Sequence, residues 1–162
     1  MQGARTPVLE GPDAPPPGPA RARPRRPVGA PAALAGVRVL VVEDDGDTRD
    51  LICRVLEMAG ATMLCVESVA KAMAGVYHSF DPDVVLTDFS MPGADGLELI
   101  REFRMAPSTR AVAVPILILS GHSASGWRAR ALEAGAAAVL TKPFVAARLI
   151  AELVAAVAPG RA

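Results

Sequence analysis

Side chains suited to phosphorus chemistry recur just after short apolar runs. Glu43 and Asp44 follow VRVLVV (37–42), and Asp88 follows Val84-Val85-Leu86-Thr87. Ser120 closes PILILS (115–120), and Lys142 follows Ala138–Thr141. Three carboxylates brought together without a counter-charge repel one another and push at least one pKa upward. A hard divalent cation relieves that. Mg²⁺ prefers oxygen ligands, keeps several waters, and suits a few carboxylates plus a phosphate. Neither His nor Cys follows any of these runs, which argues against zinc. Once Mg²⁺ and Lys142 neutralise the cluster, a carboxylate can act as a nucleophile toward phosphorus. Phosphoryl transfer needs positioning and stabilisation of the equatorial oxygens, which Mg²⁺, Lys142 and Ser120 can supply together. Taken singly, each residue has a plainer reading. Asp45 and Asp47 read as helix N-caps, Ser120-Gly121 as a turn, and Lys142-Pro143 as a surface loop. Their joint placement at successive run ends distinguishes a site from a set of turns.

That placement requires a particular scaffold. Val37–Val42 is nearly continuous in apolar, β-branched residues and predicts a buried parallel strand. Four more strands follow at Ala61–Val66, Val84–Thr87 (ending in Asp88), Pro115–Leu119 (ending in Ser120) and Ala138–Thr141. Between them the pattern predicts helices over Asp47–Ala59, from a Ser68 cap to about His78, over Gly96–Met105 and over Ser125–Ala134. A last helix follows over Val145–Ala158. In the first helix, Leu51, Val55 and Met58 are expected on one face with Ile52 and Leu56 beside them. Short strands joined by helices are parallel, because each crossover returns the chain to the same end of the sheet. The expected fold is therefore α/β, a doubly wound five-stranded parallel sheet with five helices. In such sheets, sites form outside the carboxyl ends of the strands, where all five candidate residues lie.

The bulk properties are permissive. The 162 residues, 51% apolar, suffice for one core and a tail. Charged residues are 21% with zero net charge, giving no overall reason to expect nucleic acid or an anionic membrane as partner. Five arginines against Glu10 and Asp13 leave residues 1–35 at net +3 and the remainder at −3. Nine of the fifteen prolines precede residue 32, so 1–35 reads as a disordered Pro/Arg-rich tail. The domain is expected over 36–158, with a short C-terminal tail at 159–162. No apolar run approaches the length of a membrane span, and no secretory signal is evident. Cys53 and Cys65 lie in apolar contexts without metal-ligand spacing. They read as small buried hydrophobes of a reducing cytosol.

Four segments together carry a family resemblance: VLVVEDD (39–45), VVLTDFSMPGADGLELI (84–100), PILILSG (115–121) and GAAAVLTKPF (135–144). In this order they resemble the receiver domain of two-component response regulators, the chemotaxis receivers among them. The resemblance implies a flavodoxin-like sheet of order 2-1-3-4-5. It implies Asp88 as phosphoacceptor and Glu43 and Asp44 as the acidic pair serving Mg²⁺, with Asp44 and Asp88 as direct ligands and Glu43 acting through water. Ser90 matches the position whose backbone carbonyl binds the metal. Ser120 matches the mobile Ser/Thr, and Lys142 the active-site lysine, whose bond to Pro143 is cis in relatives. One position departs from the pattern: Val139 stands where relatives often carry an aromatic switch ring. Trp127, on the helix after the fourth strand, is either a partner anchor or a core-facing residue.

The resulting expectation is a cytoplasmic single-domain response regulator that catalyses only its own phosphorylation and dephosphorylation. The expected donor is a sensor histidine kinase or histidine phosphotransfer protein. With no DNA-binding module after the last helix, output is expected through an unidentified partner protein, without direct DNA or membrane binding. Two rivals stand beside it. A phosphorylation-independent interaction domain would have no need of the five site residues. A haloacid-dehalogenase-like phosphohydrolase would carry Asp-x-Asp on its first strand, whereas here Asp88 is on the third and Ser90 stands two residues beyond it.

Overall fold

A computed structural model describes residues 32–107, 113–121 and 126–158. Strands β1 (Arg38–Val42), β2 (Thr62–Val66), β3 (Val84–Asp88), β6 (Ile116–Ser120) and β7 (Ala138–Thr141) form one parallel sheet. Its order is β2-β1-β3-β6-β7, which is 2-1-3-4-5 when these five strands alone are counted. Helices α1 (Gly46–Met58) and α5 (Ala146–Val157) cover one face. Helices α2 (Val69–Tyr77), α3 (Gly96–Met105) and α4 (Trp127–Glu133) cover the other.

Strand alternation explains the near-continuous apolar runs. Val39 and Val41 of β1 pack with Ile52, Leu56, Leu149 and Leu153 on the α1/α5 face. Leu40 and Val42 pack with Met73, Leu99 and Phe103 on the opposite face. A strand covered on both sides is apolar along most of its length, and polar residues gather at its carboxyl end. β3 and β6 are buried along their whole length, and polar residues enter β3 only at Thr87 and Asp88 and β6 only at Ser120. Each large side chain fully withdrawn from water contributes about 1.5–3 kcal/mol. The sheet is thus held rigidly up to the rim where the polar residues begin.

Helix starts are set by local caps. Asp45 Oδ1 accepts from the Thr48 N–H at 2.8 Å, Ser68 Oγ from Lys71 N–H at 3.2 Å, and Asp95 Oδ1 from Glu98 N–H at 2.9 Å. Of the two aspartates expected as caps, Asp45 is the cap of α1 and Asp47 lies in its first turn. The expected face of α1 is corrected. Ile52 and Leu56 are buried, whereas Leu51 is 55% and Met58 68% exposed. The helix offers two adjacent apolar stripes. The short turn from β1 through the Asp45 cap sets its phase, so Ile52, Leu56 and Ala59 meet the sheet.

Three further features depart from the sequence reading. Leu34, ahead of Gly36, is fully buried, and its N–H donates to the Ala59 carbonyl at 2.9 Å. Between Asp88 and Gly96 the chain forms a small antiparallel ladder, β4 (Ser90–Met91) with β5 (Ala94–Asp95), turning at Gly93 with φ +80°. The Pro92-Gly93 pair is the signal that announces that turn. Cys53 and Cys65, expected as separate thiols, are joined in a disulfide. α1 packs back against β2, bringing their Cα atoms to 6.9 Å. Ligand spacing along the chain carries no trace of that approach.

Candidate functional site

Each strand presents its polar residue where its backbone ladder runs out. The Glu43 N–H still donates to Val66 at 3.0 Å, extending the β1–β2 pairing one residue past β1. Asp88 is the last residue of β3, in register with Leu119 of β6. Ser120 follows Leu119 and is paired with Thr141. The Lys142 N–H donates to the Ser120 carbonyl at 2.7 Å, so the residue after β7 is still fixed to the sheet. The Lys142–Pro143 peptide is cis. The backbone is close-packed at Gly96, where a Cβ would lie a tight 3.1 Å from the Asp88 carbonyl oxygen and 3.3 Å from Phe89 Cα. The first turn of α3 therefore abuts the backbone of the phosphoacceptor candidate.

The side chains converge. Lys142 Nζ donates to Glu43 Oε2 at 2.7 Å and lies 2.9 Å from Asp88 Oδ1. The two carboxylates are only 2% and 10% exposed. Asp44 is exposed at the mouth, and one carboxylate oxygen from each of Glu43, Asp44 and Asp88 falls within 4.8 Å of the others. Ser120 is buried beside them at the end of β6. Burial pushes the Glu43 carboxyl above its ordinary pKa, with Asp88 adding to the rise and Lys142 opposing it. Burial by itself would lower the Lys142 ammonium; its contacts with Glu43 and Asp88 outweigh that and hold it above its usual value. One ammonium thus faces three carboxylates in a half-desolvated rim. The donor set is all oxygen, clustered and short of positive charge, which is what a hard divalent cation needs.

The structure therefore brings Glu43, Asp44, Asp88, Ser120 and Lys142 to one rim. Ser90 lies in β4, two residues past Asp88. Val139 is buried in β7 within the α2/α3/α4-side core and presents no ring. Trp127 packs against Phe89, the residue after Asp88, with ring centroids 5.0 Å apart and planes inclined at 45°. Of its two readings, the contact with the domain is the one seen. Sequence reasoning missed Arg49. Its guanidinium Nη1 donates to the Glu43 carbonyl at 2.9 Å and the Asp44 carbonyl at 3.3 Å, holding the turn that carries the acidic pair. It also missed Arg128, which donates to the Val139 carbonyl at 2.9 Å. Neither arginine stands at a strand end, so nothing in the spacing singles it out.

Comparison with known proteins agrees with this fold. Residues 39–154 match the family described as "Response regulator receiver domain". The chain is 34% identical over 120 residues to the phosphate regulon transcriptional regulatory protein PhoB of Pseudomonas aeruginosa, covering 74% of this chain and 51% of that protein. It is 37% identical over 137 residues to the protein-glutamate methylesterase/protein-glutamine glutaminase 2 of Burkholderia thailandensis, covering 77% of this chain and 37% of that one. The chain spans about half or less of the length of these curated relatives. Among solved structures, the chemotaxis response regulator CheY4 of Vibrio cholerae superposes with a TM-score of 0.65 at 27% identity, over 74% of this chain and 96% of that one.

Proposed function

The chain belongs to the response regulator receiver domain family of two-component systems, and we propose that it accepts a phosphoryl group on Asp88 in a phosphorelay. The donor is the phospho-histidine of a sensor histidine kinase or a histidine phosphotransfer protein. An Asp88 carboxylate oxygen attacks phosphorus, the P–N bond to the donor imidazole breaks, and the electron pair leaves on the imidazole nitrogen. The product is an aspartyl phosphate. Lys142, already 2.9 Å from Asp88 Oδ1, moves its ammonium onto a phosphoryl oxygen. The Ser120 hydroxyl, buried at the adjoining strand end, donates to another. Asp44 and Asp88 would hold Mg²⁺ directly, Glu43 through water, with the Ser90 carbonyl as a further ligand. When bound, the ion supplies the positive charge that the nucleophile and the equatorial oxygens share.

The observation that carries this reading is the Lys142 bridge between Glu43 and Asp88, residues 99 and 54 positions away along the chain. Aspartyl phosphate adds about 1.5–2 negative charges to the rim. That charge biases the face formed by α4, β7 and α5 and changes its affinity for an output protein. Val139 cannot act as a ring switch, so Ser120 has no aromatic partner at that position to draw inward. A cytoplasmic setting belongs to the same proposal. Among the described residues, no helix is long and apolar enough to cross a membrane. The test is labelling with acetyl phosphate and Mg²⁺. The native chain should form an acid-stable, base-labile acyl phosphate. Asp88→Asn should form none, and labelling of that variant at the native level would refute the assignment.

A further inference from the structure

The disulfide joins the two elements that hold Glu43. α1 carries Cys53 and, four residues earlier, Arg49, whose guanidinium donates to the Glu43 carbonyl at 2.9 Å. β2 carries Cys65 and, next to it, Val66, whose carbonyl accepts the Glu43 N–H at 3.0 Å. The peptide groups on both sides of Glu43 are therefore held by the two segments the disulfide ties together. Among the described residues, β2 is an edge strand, hydrogen-bonded within the sheet to β1 alone. Of the strands carrying this part of the site, it is the one with least lateral support. Both cysteines are half-buried, at a surface cleft that Cys53 lines with Asp50, Arg54, Glu57, Ala61 and Met63. That cleft is the route by which a small thiol would approach the bond, from the Cys53 side.

We propose that Cys53 and Cys65 are a reversible thiol–disulfide site whose co-reactant is a low-molecular-weight disulfide, and that its oxidation tightens the acidic pair for its cation. One cysteine thiolate attacks the small disulfide, forming a mixed disulfide and expelling one small thiolate. The second cysteine then attacks the mixed disulfide and expels the other. Two protein thiols are oxidised and one small disulfide is reduced to two thiols. Oxidation cross-links α1 to β2 and restricts the backbone around Glu43. Reduction leaves β2 held on one side by β1 alone. The coupling rests on the receiver reading of the acidic site; the chemistry of the cysteine pair does not.

The full chain is equilibrated with oxidised and reduced glutathione at a series of ratios, quenched with an alkylating agent and weighed by mass spectrometry. Both thiols should disappear together, with no lasting glutathione adduct. Two alkylatable thiols at every ratio, or an adduct that accumulates, would overturn the pair as a thiol–disulfide site. Mg²⁺ binding is then measured by calorimetry on the oxidised and reduced chain. The oxidised chain should bind several-fold more tightly, and the difference should vanish in the Cys53→Ser/Cys65→Ser variant. Equal affinities would overturn the coupling. Absence of Mg²⁺ binding in both forms would sink the receiver reading and the coupling with it, while the thiol titration would still decide the cysteine pair.

Discussion

Among the described residues, each end of the sheet holds one cation between carboxylates, and the two clusters have different characters. At the amino end, Arg38 reaches Asp83 Oδ1 at 3.0 Å and Oδ2 at 3.3 Å, and Asp81 at 3.5 Å. Its own N–H also donates to Asp83 Oδ2 at 2.9 Å. The planar guanidinium matches the planar carboxylate, and these hydrogen bonds hold the Arg38 pKa above its ordinary value. All these side chains retain contact with water, at 27–41% exposure. At the carboxyl end, a point-like ammonium faces two nearly buried carboxylates and a third at the mouth. The first cluster satisfies its hydrogen bonds with what it has. The second is left short of positive charge and out of water, so it favours any cation or phosphoryl group that can rebalance it. A cation between carboxylates is a structural pair or a functional site according to charge balance and burial, not residue type.

That contrast can be broken experimentally. The largest effect is expected at Lys142. Lys142→Met should slow labelling by acetyl phosphate by about 10²–10³-fold, the scale of removing one transition-state donor. Arg38→Met should leave the labelling rate unchanged. Equal losses in the two variants would mean the ends do not differ in kind. Asp44→Asn comes next and should act in two opposite directions. Calorimetry should show Mg²⁺ affinity falling by about tenfold or more, since a direct carboxylate ligand is lost. Thermal unfolding in chelator should show the same variant gaining roughly 1 kcal/mol, the scale of two like charges about 4 Å apart near water. A loss of stability there would show that the carboxyl end is not strained by charge. Asp83→Ala should do the reverse, costing about 1–2 kcal/mol because the Arg38 N–H and guanidinium lose their acceptor. Its Mg²⁺ affinity should not move. The smallest effect is expected at Asp95, whose replacement by Ala should cost about 1 kcal/mol through the lost cap of α3. A larger change in Mg²⁺ affinity than in stability would place that cap within the site.

Of the two ends, the carboxyl rim is legible in the sequence and the Arg38–Asp83 cluster is not. Strand ends were readable because both faces of the sheet are covered, so the apolar run stops where the strand meets solvent. Glu43, Asp88, Ser120 and Lys142 could therefore be listed as rim residues from spacing alone. The caps at Asp45 and Ser68 were readable because a cap acts within three residues. The phase of α1 was not, since Leu51/Val55/Met58 and Ile52/Leu56/Ala59 are equally good stripes, and only the turn at Glu43–Asp45 chooses between them. Arg49 escaped notice because its role is to meet two backbone carbonyls, groups that every residue carries.

The order of residue types along the chain determined the alternation of strands and helices, the parallel sense of the sheet, and which side chains reach its carboxyl rim. Those properties depend on local periodicity and on helical crossovers that return the chain to the same end of the sheet. Only the folded chain decided that Lys142 bridges Glu43 and Asp88, that Cys53 meets Cys65, and that Trp127 lies on Phe89. Such contacts join residues from separate elements. Whether they form depends on how each helix is rotated against the sheet, and on distances of a few ångströms that no spacing along one dimension encodes.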